Sequence, residues 1–155
     1  MAIDFIDIKE INAHLKIVLY GKDNTGKSKF NERLKAIKYY CEFNKLKEYN
    51  PTFGVLYTTK IVKFHDKGFK LEIWDTAGHE RFANLNRIVF RESDVVLIFY
   101  DSFNKQSFEK IKEFYKDNIL ENINKNCKYI VIRGKYDLKL ENKEYVSDEE
   151  VLEFV

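Results

Sequence analysis

The segment Gly21-Lys22-Asp23-Asn24-Thr25-Gly26-Lys27-Ser28 fits the spacing Gly-x4-Gly-Lys-Ser/Thr. It lies between an apolar run, Leu15 to Tyr20, and a helical repeat of Phe30, Leu34, Ile37 and Cys41. A loop leading from a strand into a helix can turn its backbone amides, and the helix N-terminus behind them, toward a phosphate chain. In that arrangement Asp23, Asn24, Thr25 and Gly26 line the phosphates, Lys27 meets the β- and γ-phosphates, and Ser28 holds Mg²⁺. The pattern is short enough to occur by chance in a glycine-containing turn, so its weight depends on what accompanies it.

A second chemical segment follows: Leu71-Glu72-Ile73-Trp74-Asp75-Thr76-Ala77-Gly78-His79-Glu80-Arg81-Phe82, with Asp75 lying 48 positions beyond Lys27. A carboxylate that closes an apolar strand can hold Mg²⁺ through water. A glycine three residues later lets its N–H approach a γ-phosphate closely. Each segment begins where an apolar run stops, which is where ligands sit in open α/β sheets.

Together these segments resemble the Rab-like branch of the Ras superfamily of small GTPases. "WDTAGHERF" is similar to the family's third motif, and "PTFGVLYTTKIV" to its first switch segment and the strand after it. The likeness runs from about His14 to Val155. It implies that Thr52 senses the γ-phosphate and Mg²⁺, with Tyr49 as the aromatic three positions before it. It also implies that Tyr57, Trp74 and Phe90 form an exposed aromatic triad that meets effectors. Aromatic residues are equally at home in cores, and that reading stays open here. "VIRGKYDL" sits where the family specifies guanine. By resemblance, Asp137 accepts from the guanine N1–H and exocyclic amine, and Lys135 lays its stem along the base. Two donors meeting one acid would reject adenine.

Four departures qualify the resemblance. Gly134 replaces the family's Asn, removing a side chain that ties this loop to the phosphate loop. Base selectivity is therefore expected to be blunted, ATP use becomes less remote, and Asn restored at 134 is expected to tighten binding. Lys27 and Thr52 are 25 positions apart, several more than is usual. Tyr39, Tyr40 and Phe43 are accordingly all candidates for the aromatic that stacks on the base. Asp23 and Asn24 stand where small residues are preferred. His79 stands where the family has its catalytic Gln, although translational GTPases, similar at this motif, place water with a His.

The elements that must position these groups alternate along the chain. A strand pair is expected from Phe53 to Phe64 and Phe69 to Trp74, joined by a turn at Asp66-Lys67-Gly68. Val95 to Tyr100 and Tyr129 to Ile132 read as further buried strands. Phe108, Ile111 and Tyr115 mark one helix face, and Ser147 with Glu150 forms a capping box opening another helix. This order implies α/β architecture: a doubly wound, mostly parallel sheet with one antiparallel hairpin strand. The family resemblance makes it a P-loop NTPase, a single small G domain over residues 1–155. By the same resemblance, the family's final strand, final helix and prenylation cysteines are expected beyond the 18 residues that follow Asp137 here.

Composition agrees with one such domain. The chain has 155 residues, 45% of them apolar, with 13 Phe, 10 Tyr, one Pro and six Gly, which suits a single packed core. A net charge of +2 predicts neither nucleic acid nor an anionic membrane as partner. Cys41 and Cys127 have no ligand-like spacing and read as reduced thiols. No apolar run reaches the ~20 residues that span a bilayer, and Ala2 replaces the glycine required for myristoylation. The expected place is the cytoplasm, with membrane association through partners or sequence beyond this chain. The resemblance implies a guanine-nucleotide switch that takes GTP and GDP with Mg²⁺, meets effectors and regulators of Rab type, and serves vesicle trafficking. His79 and Lys27 would be catalytic and intrinsic hydrolysis slow. The alternative is an interaction module that holds nucleotide without turning it over.

Overall fold

The protein is described from a computed structural model covering residues 11–36, 54–65, 67–77, 89–119, 126–138 and 145–154. Its elements run β1 (Ile11–Tyr20), α1 (Lys27–Ala36), β2 (Val55–Phe64), β3 (Lys67–Thr76), β4 (Val95–Asp101), α2 (Lys105–Ile119), β5 (Lys128–Gly134) and α3 (Asp148–Leu152). The strands form one sheet in the order β2-β3-β1-β4-β5. β1 pairs in parallel with both β3 and β4, β4 pairs in parallel with β5, and β2 runs antiparallel to β3 at the edge. From β1, chain order proceeds toward opposite edges of the sheet. The end of β1 is therefore the topological switch point, and the loop 21–28 leaves from it.

Period-two alternation covers both sheet faces. Val18, Ile98 and Tyr100 point into a core with Phe108, Ile111 and Phe114 of α2, joined by Val146 just before α3. Their neighbours Leu19, Ile73 and Phe99 form a smaller core against Phe30 and Leu34 of α1. Near-continuous apolar strands are the signature of a sheet covered on both sides. Asp75 follows from Ile73 by the same alternation, so β3 delivers its carboxylate to the α1 side. Thr76 then fixes the strand end, its hydroxyl donating to the Leu19 carbonyl at 2.7 Å.

Two local expectations change. The hairpin pairs Phe64 with Lys67, so Lys67 and Gly68 belong to β3 and not to the turn. His65 takes a left-handed φ of 43°. Gly68 N–H donates to Asn12 Oδ1 at 2.9 Å, which draws that residue into the ladder. On α2 the buried third position is Phe114, whereas Tyr115 is exposed. Tyr115 instead lies edge-on to Tyr129 and Phe154 along the rim. The capping box is present as expected: Ser147 Oγ accepts from Glu150 N–H while Glu150 accepts from Ser147 N–H. Among the described residues no helix is long and apolar enough to cross a membrane.

This placement predicts unequal costs for adjacent residues. Phe114→Ala is expected to lower unfolding free energy by about 3–5 kcal/mol through cavity formation. Tyr115→Ala, which loses only rim ring contacts, should lose about 1 kcal/mol. Urea denaturation of both variants measures the order, and an equal or reversed order contradicts the assigned face.

Candidate functional site

The loop after β1 closes on itself around a buried lysine. Gly21 takes φ +145°, and a Cβ there would lie 2.2 Å from the Phe99 carbonyl oxygen. Only glycine can therefore join β1 to the loop so close to β4. Asn24 adopts a left-handed φ of 62°, a conformation its short polar side chain tolerates. Thr25 Oγ1 donates to the Lys22 carbonyl at 2.8 Å and closes the turn. Lys27 opens α1 with its ammonium folded back, donating to the carbonyls of Gly21 at 2.6 Å and Lys22 at 2.9 Å.

Burial makes this ammonium unusually acidic. Desolvation lowers the Lys27 pKa to about 8, outweighing the charges of Asp75 and Asp23, which raise it. Asp75 shows the matching effect. Its side chain is fully buried, and among the described residues neither carboxylate oxygen reaches full hydrogen-bond geometry, with Ser28 and Asn31 its nearest donors. Burial raises its pKa above the ordinary value, although Ser28, Lys27 and Asn31 lie near enough to pull it down. Both charges are held almost out of solvent, the lysine on carbonyl partners and the carboxylate beside Ser28, Asn31 and Lys27.

A buried carboxylate beside the Ser28 hydroxyl is a donor set that suits Mg²⁺. That ion takes one or two protein oxygens and fills its remaining positions with water and phosphate. Among the described residues no group of three or more His, Cys, Asp or Glu gathers, so nothing resembles an all-protein cage.

Across a cleft of about 440 Å³, the loop faces the segment after β5. Asn24, Thr25, Gly26, Lys27 and Ser28 line one side; Gly134, Lys135 and Asp137 line the other. Asp137 is exposed on a short 3-10 turn, Tyr136–Leu138. Lys135, at φ 59°, directs its ammonium to Asp101 Oδ2 at 2.8 Å. Arg133 pairs with Asp148 of α3 at 2.6 Å and donates to the Tyr100 hydroxyl, also at 2.6 Å. The expectation that Asn at 134 tightens binding meets a steric obstacle. A Cβ at Gly134 would lie 2.3 Å from the Thr25 carbonyl oxygen, so the backbone already occupies that space.

The aromatic triad is divided. Tyr57 is 47% exposed and meets Trp74 edge-on at 4.9 Å, directly across the β2–β3 ladder. Trp74 is half-buried, with the Lys16 ammonium 5.2 Å from its ring centre. Phe90 is only 2% exposed, held in the core against Tyr20 and Phe114. Its position does not match an exposed triad. Tyr49, Thr52, Gly78 and His79 lie outside the described residues, as do Tyr39, Tyr40 and Phe43. Sequence reading missed Asp101 and Ser102, the turn that grips Lys135 and Gly134. A lone Asp-Ser after a strand gives no signal of that role.

Comparison with known proteins agrees with this geometry. The Ras family profile matches residues 16–155, and the chain belongs to that family. Within it the chain is Rab-like. It is 34% identical over 142 residues to the Ras-related protein Rab-1 of Theileria annulata, covering 92% of this chain and 61% of that protein. Identity to the Theileria parva Rab-1 is 35% over 131 residues, covering 84% and 57%. The Ypt/Rab-type GTPase YPT7 of Saccharomyces cerevisiae is 32% identical over 144 residues, covering 90% and 65%. The chain thus spans about three fifths of the length of these relatives.

The buried carboxylate has a measurable consequence. The raised pKa of Asp75 means that its ionised form opposes folding at pH values above that pKa. Asp75→Asn should therefore raise the melting temperature of the ligand-free protein at neutral pH. The gain should shrink as acid protonates the wild-type carboxyl. Scanning calorimetry between neutral and acidic pH checks this, and a lower melting temperature at neutral pH contradicts it.

Proposed function

We propose that the protein is a guanine-nucleotide switch of the Rab type, binding GTP and GDP with Mg²⁺, serving vesicle trafficking and hydrolysing GTP slowly by itself. The observation that carries this reading is a cleft in which residues 24–28 and Asp137 face one another. One side offers amides and an ammonium for phosphates; the other offers a carboxylate for a base with paired donors. Family membership supports the same reading.

In this proposal the Lys27 ammonium exchanges its carbonyl partners for β- and γ-phosphate oxygens. Ser28, Thr52 and Asp75 would hold Mg²⁺, which would supply positive charge against the phosphates. Hydrolysis is in-line attack of water on the γ-phosphorus, releasing GDP and phosphate. Thr52 and the segment from Gly78 respond to the γ-phosphate, and its loss releases them to change partners. Tyr49 flanks the nucleotide, while Tyr57 and Trp74 offer an aromatic surface to an effector.

Two residues argue for slow turnover. His79 stands where a Gln would orient water, and Asp23 brings negative charge to the phosphate loop. The Asp23 carboxylate helps keep Lys27 protonated, but like charge beside a developing anion opposes phosphoryl transfer.

Lys27→Ala and Ser28→Ala are each expected to weaken GDP binding by about tenfold to a hundredfold, the range for losing a charged hydrogen bond. Wild-type affinity should also depend on pH. With a free-protein pKa of about 8 for Lys27, phosphate binding favours the protonated form and raises that pKa. Affinity should be level below that pH and fall as pH rises through it, by up to about tenfold per unit, with one proton taken up on binding. Calorimetry in buffers of different ionisation enthalpy measures both effects. Unaltered affinity in the two variants would sink the nucleotide assignment.

Turnover is tested separately by single-turnover decay of bound GTP. Decay in wild type should be slow and should accelerate in His79→Gln and Asp23→Gly. Fast wild-type decay that collapses in His79→Gln would make His79 the residue that places water.

A further inference from the structure

Gly134 ends β5 pressed against the phosphate loop. A Cβ there would meet the Thr25 carbonyl oxygen at 2.3 Å and that of Tyr100 at 3.0 Å. Both obstacles are backbone, so a side chain could enter only if a strand end or the loop moved by about 1 Å, in an interior with little room to yield. From the other direction, the carbonyl of Gly134 accepts two hydrogen bonds from one residue. Ser102 donates its N–H at 3.1 Å and its hydroxyl at 2.7 Å. Ser102 is itself buried, and its carbonyl accepts from Val146 N–H at 2.9 Å, which ties the clamp to the segment before α3.

The segment beyond is short and stiff. Lys135 is anchored to Asp101, the residue before Ser102, and Leu138 N–H returns to the Lys135 carbonyl at 2.9 Å. Asp137 lies inside that closed turn. Its position relative to the phosphate loop is set by how deeply Gly134 seats and how firmly Ser102 holds it.

We propose that Gly134 and Ser102 are positioning residues for base recognition, the bare backbone of Gly134 seating the Asp137 turn against Thr25 and the Ser102 hydroxyl fixing it there. This rests on the guanine-nucleotide reading above. The glycine is then a second way of tying the two loops together, by direct contact of main chains. Asn at this position would push them apart. A hydrogen bond weakens steeply with misplacement, so Asp137 would lose its paired acceptance before the phosphate loop lost its grip.

Calorimetry with GDP, ADP and inorganic pyrophosphate, each with Mg²⁺, tests this on the full chain and on Gly134→Ala, Gly134→Asn, Ser102→Ala and Ser102→Thr. Preference for GDP over ADP should fall by about tenfold or more in both Gly134 variants and about three- to tenfold in Ser102→Ala. Ser102→Thr, which keeps the hydroxyl, should recover it. Pyrophosphate, which has no base, should lose less affinity than GDP in each weakened variant. Gly134→Asn binding GDP as tightly as wild type would overturn the proposal, as would an unchanged preference in Ser102→Ala. Equal losses for GDP and pyrophosphate would also overturn it, marking a general structural role. Wild type that binds pyrophosphate with no preference for GDP over ADP would overturn the guanine reading and this proposal together. A wild-type preference that survives in the variants overturns this proposal alone.

Discussion

The site depends on one constraint: a lysine ammonium must be kept charged in a place with almost no water. Lys27 meets it by turning back onto the carbonyls of Gly21 and Lys22. Those carbonyls can converge only because the chain leaves β1 through a glycine lodged against Phe99. The central position of β1, flanked by parallel β3 and β4, brings the loop within electrostatic reach of Asp75. Remove the parallel register and neither charge has a neighbour.

The charges are poorly matched as they stand. Lys27 has two neutral acceptors, and among the described residues buried Asp75 has only the imperfectly placed Ser28 and Asn31 beside it. Folding alone would favour apolar residues at both positions, since desolvated charge is costly. Such discord between local chemistry and packing is expected where a protein keeps groups ready for a ligand. A polyanion with a divalent ion, as proposed above, would supply what each group lacks.

Much of this was legible in the residues because it is local. The loop 21–28 announces itself by spacing, and Ser147 with Glu150 fixes a helix start within four residues. Alternation along β3 and β4 places Ile73, Asp75, Ile98 and Phe99 on their faces. What was not legible depends on distance in the chain. Nothing near Gly134 says that its Cα faces Thr25, more than a hundred positions earlier, so its glycine reads as a lost Asn. Phe114 and Tyr115 are both aromatic and adjacent on a helix. Only the packing of Tyr20 and Phe90 against the first decides between them. Phe90 likewise reads as a surface residue by resemblance, yet the room beneath β1 draws it inward. The hairpin turn was misplaced because Gly68 is used for strand pairing with Asn12 beside it.

The half-buried indole of Trp74 has one more consequence. It belongs to the one tryptophan in the chain, next to Asp75, edge-on to exposed Tyr57 and beneath a lysine charge. Its N–H is buried and finds no hydrogen-bond partner among the described residues. Indole emission responds to nearby charge and to the polarity around that N–H. The strand that carries the buried carboxylate toward α1 thus carries a native fluorophore on its opposite face. Motion of β2 against β3, or a molecule settling on Tyr57, is written into the colour and intensity of a single unlabelled chromophore.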